Sequence, residues 1–123
     1  LNSRRLRVGK HTDLNQALIG INPGTNGLKE SLTLQQRLAA TEATPRISGC
    51  TPLDMLQTSA DRLQAGWSMA EDPRSLAAAS LILQEAGGLI GTEDGNPDLR
   101  SGEEIFYGNP KAFRALLKLR NAS

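Results

Sequence analysis

Acidic residues fall as neighbours at Glu71-Asp72, Glu93-Asp94 and Glu103-Glu104. Adjacent carboxylates are the simplest material for a divalent-cation site or an acid–base pair. Asp72 precedes Pro73 and Asp94 precedes Gly95, however, so a helix N-cap and a turn account for two of these pairs without a metal. The single thiol, Cys50, stands just before a helix start, a place suited to a nucleophile. The sole histidine is His11, and no base or orienting acid lies near the thiol in sequence, so a plain buried cysteine is the expectation. Arg4-Arg5-Leu6-Arg7 with Lys10 and His11 carries charge enough for a phosphate or RNA contact. Its charges alternate with apolar residues and no aromatic platform accompanies them, which reads as an exposed strand face.

The elements that must position these groups follow from periodicity and punctuation. Arg5-Leu6-Arg7-Val8 alternates as an edge strand does, and Ala17-Leu18-Ile19-Gly20-Ile21 is a continuous apolar run of the kind covered on both faces, closed by Asn22-Pro23-Gly24. Leucines at 28, 32, 34 and 38 predict a helix from Leu28 to about Ala40. Pro45 to Gly49 reads as a short strand. Thr51-Pro52-Leu53-Asp54 then starts a helix with a hydroxyl cap, a first-turn proline and an acid, presenting Leu53, Leu56, Ala60 and Leu63 on one face. Gly66-Trp67-Ser68-Met69 predicts a strand and Arg74 to Glu85 a helix ending at Gly87-Gly88. Because Leu76, Ala77, Ala78, Ala79, Leu81, Ile82 and Leu83 surround most of that helix, it is expected to be buried between layers. Leu89 to Thr92 and Glu104 to Gly108 read as strands, and Asn109-Pro110 caps a last helix facing inward with Ala112, Phe113, Leu116 and Leu117. Strands alternating with helices argue for an α/β layered domain.

A chain of 123 residues is about one domain, able to bury roughly two-thirds of its unfolded surface without disulfides or metal. The net charge of +1 makes a nucleic-acid partner an unfavourable expectation. With only four aromatic residues, a core of Leu, Ile and Ala is expected. One cysteine excludes an intrachain disulfide and suits a reducing, cytoplasmic setting, and no apolar run approaches a membrane span. The chain begins at Leu1 and reads at once as strand, so a fragment of a longer protein is expected.

The stretch from Gly49-Cys50-Thr51-Pro52-Leu53 through Asp61-Arg62-Leu63-Gln64-Ala65 and Pro73-Arg74-Ser75-Leu76-Ala77-Ala78-Ala79 to Glu85-Ala86-Gly87-Gly88 resembles the inositol monophosphatase family of magnesium-dependent phosphatases. The flanks, Arg4 to Val8 with Asp13-Leu14 and the closing Gly108-Asn109-Pro110, are similar to the ends of that family's second domain. The resemblance implies that residues 1–123 form the C-terminal domain of the sugar-phosphatase fold, with a mixed sheet of about five strands and helices on both faces. Substrate would then face Gly49, Cys50, Thr51, Ser68 and Ser75.

Departures from the family pattern bear on activity. A metal-ligating Asp is matched here by Ser75, and a ring-contacting Glu by Ser68. Magnesium needs hard, preferably anionic oxygens, and a serine hydroxyl supplies no charge. The family's Glu-Glu pair and Asp-Pro-Ile/Leu-Asp-Gly-Thr motif belong to its first domain and do not occur in this chain. The expectation is therefore a domain that binds no magnesium and has no catalytic residue of its own, although magnesium is the family's cofactor. Expected partners are the missing N-terminal domain of its parent, a second copy or another protein.

Overall fold

The structure, a computed structural model, describes residues 7–9, 14–24, 26–69, 73–92 and 103–121, except for the side chains at 73 and 75. Elements follow in the order β1 (Leu18–Asn22), α1 (Leu28–Ala39), β2 (Thr44–Arg46), α2 (Thr51–Ser59), β3 (Ala65–Met69), α3 (Pro73–Glu85), β4 (Leu89–Gly91), β5 (Glu104–Gly108) and α4 (Pro110–Arg120). One five-stranded sheet has the order β2-β1-β3-β5-β4. β1 runs parallel to β2 and β3, while β5 runs antiparallel to β3 and β4. The fold is the expected mixed α/β sheet with helices on both faces.

Alternation along the strands divides the side chains between two cores. Ile19, Ile21, Ala65, Trp67 and Phe106 face α1 and α4, where Leu34, Leu38, Phe113 and Leu116 meet them. Ile105, Tyr107 and Ile90 face α2 and α3 and meet Met55, Leu76, Ala79 and Leu83. α4 begins as its sequence predicts, with the Asn109 side chain accepting from Ala112 N at 2.8 Å ahead of Pro110. Its last carbonyls, on Leu119 and Arg120, accept from the Arg37 guanidinium at 3.1 and 2.6 Å, so α1 caps the open end of α4.

Several expectations are corrected. The four aromatic residues are all buried, three of them in the α1/α4 core, because each covers far more area than an aliphatic side chain. Only Leu34 and Leu38 of the α1 stripe are buried; Leu28 and Leu32 are exposed. On α2 the inward face is Asp54, Met55, Thr58 and Ser59, whereas Leu53 and Leu56 are exposed. Burying those hydroxyls is tolerable because Thr58 Oγ1 and Ser59 Oγ donate to carbonyls four residues back, at 2.7 and 2.8 Å. The α2 cap is Cys50, one residue earlier than expected, and no side chain caps it. α3 is not enclosed between layers: Leu76, Ala79 and Leu83 turn inward, while Ala77, Ala78 and Leu81 are exposed on an outer helix.

Residues 7–9 form no strand; Val8 N donates to Ala86 O at 3.0 Å and Val8 packs on the α2/α3 core. The basic cluster and His11 otherwise lie outside the described residues, as do Glu71-Asp72 and the turn at Asp94-Gly95. No helix among the described residues is long and apolar enough to cross a membrane.

Candidate functional site

From the carboxyl end of β1 the chain departs to α1, and from that of its parallel neighbour β3 to α3 on the opposite face. Where adjacent parallel strands send their chains to opposite sides, a crevice opens beyond the strand ends. A cleft of about 590 Å³ lies there, lined by Asn22 from β1, Gly49, Cys50 and Thr51 leading into α2, Ser68 from β3 and Leu76 from α3. Asn22 and Ser68 are register partners across the β1/β3 ladder, so the sheet itself sets them side by side.

The wall carrying Gly49 to Thr51 is a turn, with Gly49 in the left-handed region at φ +80. Thr51 Oγ1 and Ser68 Oγ share a hydrogen bond of 2.8 Å across the cleft floor. Behind the turn, Asp54 is 1% exposed. Its Oδ2 accepts from Asn22 Nδ2 at 2.7 Å and its Oδ1 from Ser48 Oγ at 2.9 Å. Asn22 Oδ1 in turn accepts from Gly49 N at 2.8 Å, and Ser48 Oγ accepts from Cys50 N at 3.1 Å.

Deeper still, Gly20, Gly66 and Tyr107 form one row across β1, β3 and β5. The phenol ring lies over Gly66, where any Cβ would overlap its Cζ and hydroxyl. The ring reaches toward Gly20, where a Cβ would stand 2.8 Å from Asp54 Oδ2 and 3.1 Å from Tyr107 Oη. The Tyr107 hydroxyl is buried and has no hydrogen-bond partner among the described residues. Burial, and secondarily the Asp54 carboxylate, hold its ionisation well above the ordinary phenol value.

Four of the five positions expected to face a ligand, Gly49, Cys50, Thr51 and Ser68, are gathered at this cleft. Ser75 falls in the first turn of α3 beside Leu76, and its side chain is outside the described ones. Cys50 is exposed, correcting the expectation of a buried thiol: as the cap residue it stands at the cleft rim and not beneath the helix. Sequence reasoning missed Asn22, Ser48 and Tyr107 as participants, and took Asp54 for a helix-start signal alone. The available hint was glycine inside two strands, at 20 and 66, which marks the close approach of another group.

The described donor set does not fit magnesium. Among the described residues the cleft offers hydroxyls and a side-chain amide that is already paired, and the carboxylate behind it, Asp54, faces inward with both oxygens bonded. Glu104, from the acid pair preceding Tyr107, is likewise engaged, by Trp67 Nε1 at 2.9 Å and Arg120 Nε at 2.7 Å. Among the described residues no group of three His, Cys, Asp or Glu side chains converges.

An α/β/α domain whose crevice at the strand ends is neutral and bears hydroxyls in its described lining is thus the class defined by fold and geometry. No protein-family model matches the chain. Nus factor SuhB of Pseudomonas aeruginosa is 34% identical over 122 residues, which are 95% of this chain and 45% of that protein. Inositol-1-monophosphatase of Mesorhizobium japonicum is 30% identical over 123 residues, 96% of this chain and 46% of that protein. Among solved structures, the extragenic suppressor protein suhB of Bartonella henselae superposes with a TM-score of 0.89 at 25% identity, covering 99% of this chain and 48% of that one. The chain belongs to the inositol monophosphatase family and matches the C-terminal half of its members. It spans about half the length of the curated relatives it resembles.

Proposed function

We propose that residues 1–123 are the C-terminal domain of an inositol-monophosphatase-type protein, and that this domain does not hydrolyse phosphate esters. The observation that carries the reading is the polar lining of the cleft. Ser68 stands at the end of β3 paired to Thr51, and among the described residues the carboxylate behind the cleft, Asp54, is turned away with each oxygen already accepting a hydrogen bond. Water activation by a divalent ion needs anionic ligands open to the cleft, and the described lining supplies none. Gly49, Cys50, Thr51 and Ser68, with Ser75 by resemblance, are then ligand-facing positions without a catalytic role. The lone cysteine is consistent with a reducing, cytoplasmic setting.

Phosphate release from inositol monophosphate with magnesium tests this. The chain is expected to release no more than buffer does, and turnover abolished by a chelator would refute the reading. An upstream half bearing an acidic metal-binding motif would return activity to the whole protein while leaving this chain inactive alone.

A second reading, a protein-interaction or oligomerisation module, is favoured by one observation. The outer sides of α2 and α3 expose Leu53, Leu56 and Leu81, apolar residues available to a partner surface. Relatives bearing the name Nus factor SuhB are compatible with a role besides hydrolysis. Light scattering over a dilution series separates the two, since a module that self-associates gains mass with concentration.

A further inference from the structure

The turn from Ser48 to Thr51 has little of its own to keep it in place. Residues Thr44 to Cys50 are exposed throughout, β2 is an edge strand of three residues, and Gly49 needs a left-handed backbone. We propose that Asp54 is the positioning residue of the cleft, holding this wall by two arms that both end on backbone N–H groups of the turn. In one arm Asp54 Oδ2 accepts from Asn22 Nδ2, and Asn22 Oδ1 accepts from Gly49 N. In the other Asp54 Oδ1 accepts from Ser48 Oγ, and Ser48 Oγ accepts from Cys50 N.

The polarity of both arms is dictated by the carboxylate. An ionised carboxylate only accepts, so Asn22 must aim its NH2 group at Asp54 and leave its oxygen for Gly49. For the same reason the Ser48 proton points at Asp54, and a lone pair remains for Cys50 N. An amide at position 54 offers one acceptor and one donor, so one arm loses its charged acceptor: either the Asn22 NH2 faces another NH2, or Ser48 turns its proton away and accepts from residue 54 as well as from Cys50 N. Exchanging the two side chains, however, preserves every bond. A carboxylate at position 22 accepts both from Gly49 N and from an amide NH2 at position 54, and the oxygen of that amide accepts from Ser48. The direction of the hydrogen bonds, and not the bulk of residue 54, is therefore what shapes the wall. Asp54 does not itself line the cleft; it acts through Asn22 and Ser48.

The proposal takes only the location of the cleft from the function proposed above, and its test needs no ligand, so the two fail separately. Amide hydrogen exchange of Gly49 and Cys50 in the 123-residue chain is the direct readout, with urea unfolding to report global stability. Asp54→Asn is expected to accelerate exchange at one or both amides by about tenfold or more, with amides of the α1/α4 face unchanged. The double exchange Asn22→Asp with Asp54→Asn is expected to return both amides to within about threefold of the parent, a rescue that lost packing would not produce. Parent-like exchange in Asp54→Asn overturns the proposal, as does a stably folded double exchange whose amides stay fast. If Asp54→Asn does not fold, the double exchange alone decides, by whether the two amides are protected.

Discussion

On the face of the sheet covered by α1 and α4, Trp67, Phe106 and Phe113 interlock with Ile19, Ile21 and Leu38, and the one indole N–H is taken by Glu104 at the rim. On the face covered by α2 and α3, the same strands present Gly20, Gly66 and Ser68, and the space goes to a phenol ring and a buried carboxylate. The sheet is thus packed with aromatic rings on one side and furnished with polar groups on the other. The difference teaches where a site can be built. Glycines in β1 and β3 leave the sheet surface bare, so polar groups from α2 and β5 can enter it, and the aromatic face behind keeps the strands from shifting in response.

The comparison is broken most severely from the aromatic side. Trp67→Ala is expected to lose about 3–5 kcal/mol in urea unfolding, through the cavity and the abandoned Glu104 acceptor. A loss under about 1 kcal/mol would show that this face is not the anchor. Next in size is Gly66→Ala, where the new methyl meets the Tyr107 ring; about 1–3 kcal/mol is expected from overpacking. Because ring and methyl compete for one space, the loss should shrink markedly in a Tyr107→Leu background, and strict additivity would mean that they do not.

These cases also show what sequence can reveal. The α4 boundary was legible because Asn109-Pro110 is a local signal, acting within one turn of its own residues. β1 and β5 followed from their runs of apolar side chains, and the placing of Gly49, Thr51 and Ser68 at one cleft from likeness to a known family, whereas β2, Thr44-Pro45-Arg46, has no such run and begins and ends earlier than expected. What escaped was which side of each helix faces the sheet. Apolar periodicity on α2 points to Leu53 and Leu56, but the sheet beneath carries glycines and a phenol, so Asp54 and Met55 go inward instead. That outcome depends on residues 20, 66 and 107, far apart in sequence and adjacent only through strand order. Asn22 was hidden for a similar reason: read locally it is a turn residue, and its partners are 27 and 32 residues away.

The polar face has its own signature in alkali. Tyr107 is the only tyrosine, so tyrosinate absorbance reports on it alone. Its ionisation in the folded protein is pushed well above 10.0, by burial first and the Asp54 carboxylate second, while the unfolded chain ionises near the ordinary value. Above pH 10.0 the unfolded state therefore holds fewer protons than the folded one, and stability falls as pH rises toward the folded value. The expected result is that tyrosinate appears together with loss of structure, in one transition. Ionisation at the ordinary phenol value with the fold intact would place the hydroxyl in water. Tyr107→Phe removes a buried hydroxyl that has no partner, so at neutral pH it is expected to be neutral or to stabilise by up to about 1 kcal/mol. In the same variant the alkaline transition should move to higher pH.

The smallest effect belongs to the outer side of the site-bearing face, and it sharpens the comparison because sequence pattern argues for the opposite. The apolar circumference of α3 suggests burial on all sides, in which case Leu81→Gln would remove a core side chain and lose about 2–5 kcal/mol. In the structure Leu81 is 57% exposed, and among the described side chains of that helix Leu76, Ala79 and Leu83 reach the core. Leu81→Gln is accordingly expected to shift stability by no more than about 0.5 kcal/mol, checked by urea unfolding at two protein concentrations. Concentration is the informative variable. A loss that appears only at the higher concentration would mean that a second copy covers this side of α3, whereas a large loss at both would mean that the helix is enclosed within the chain itself.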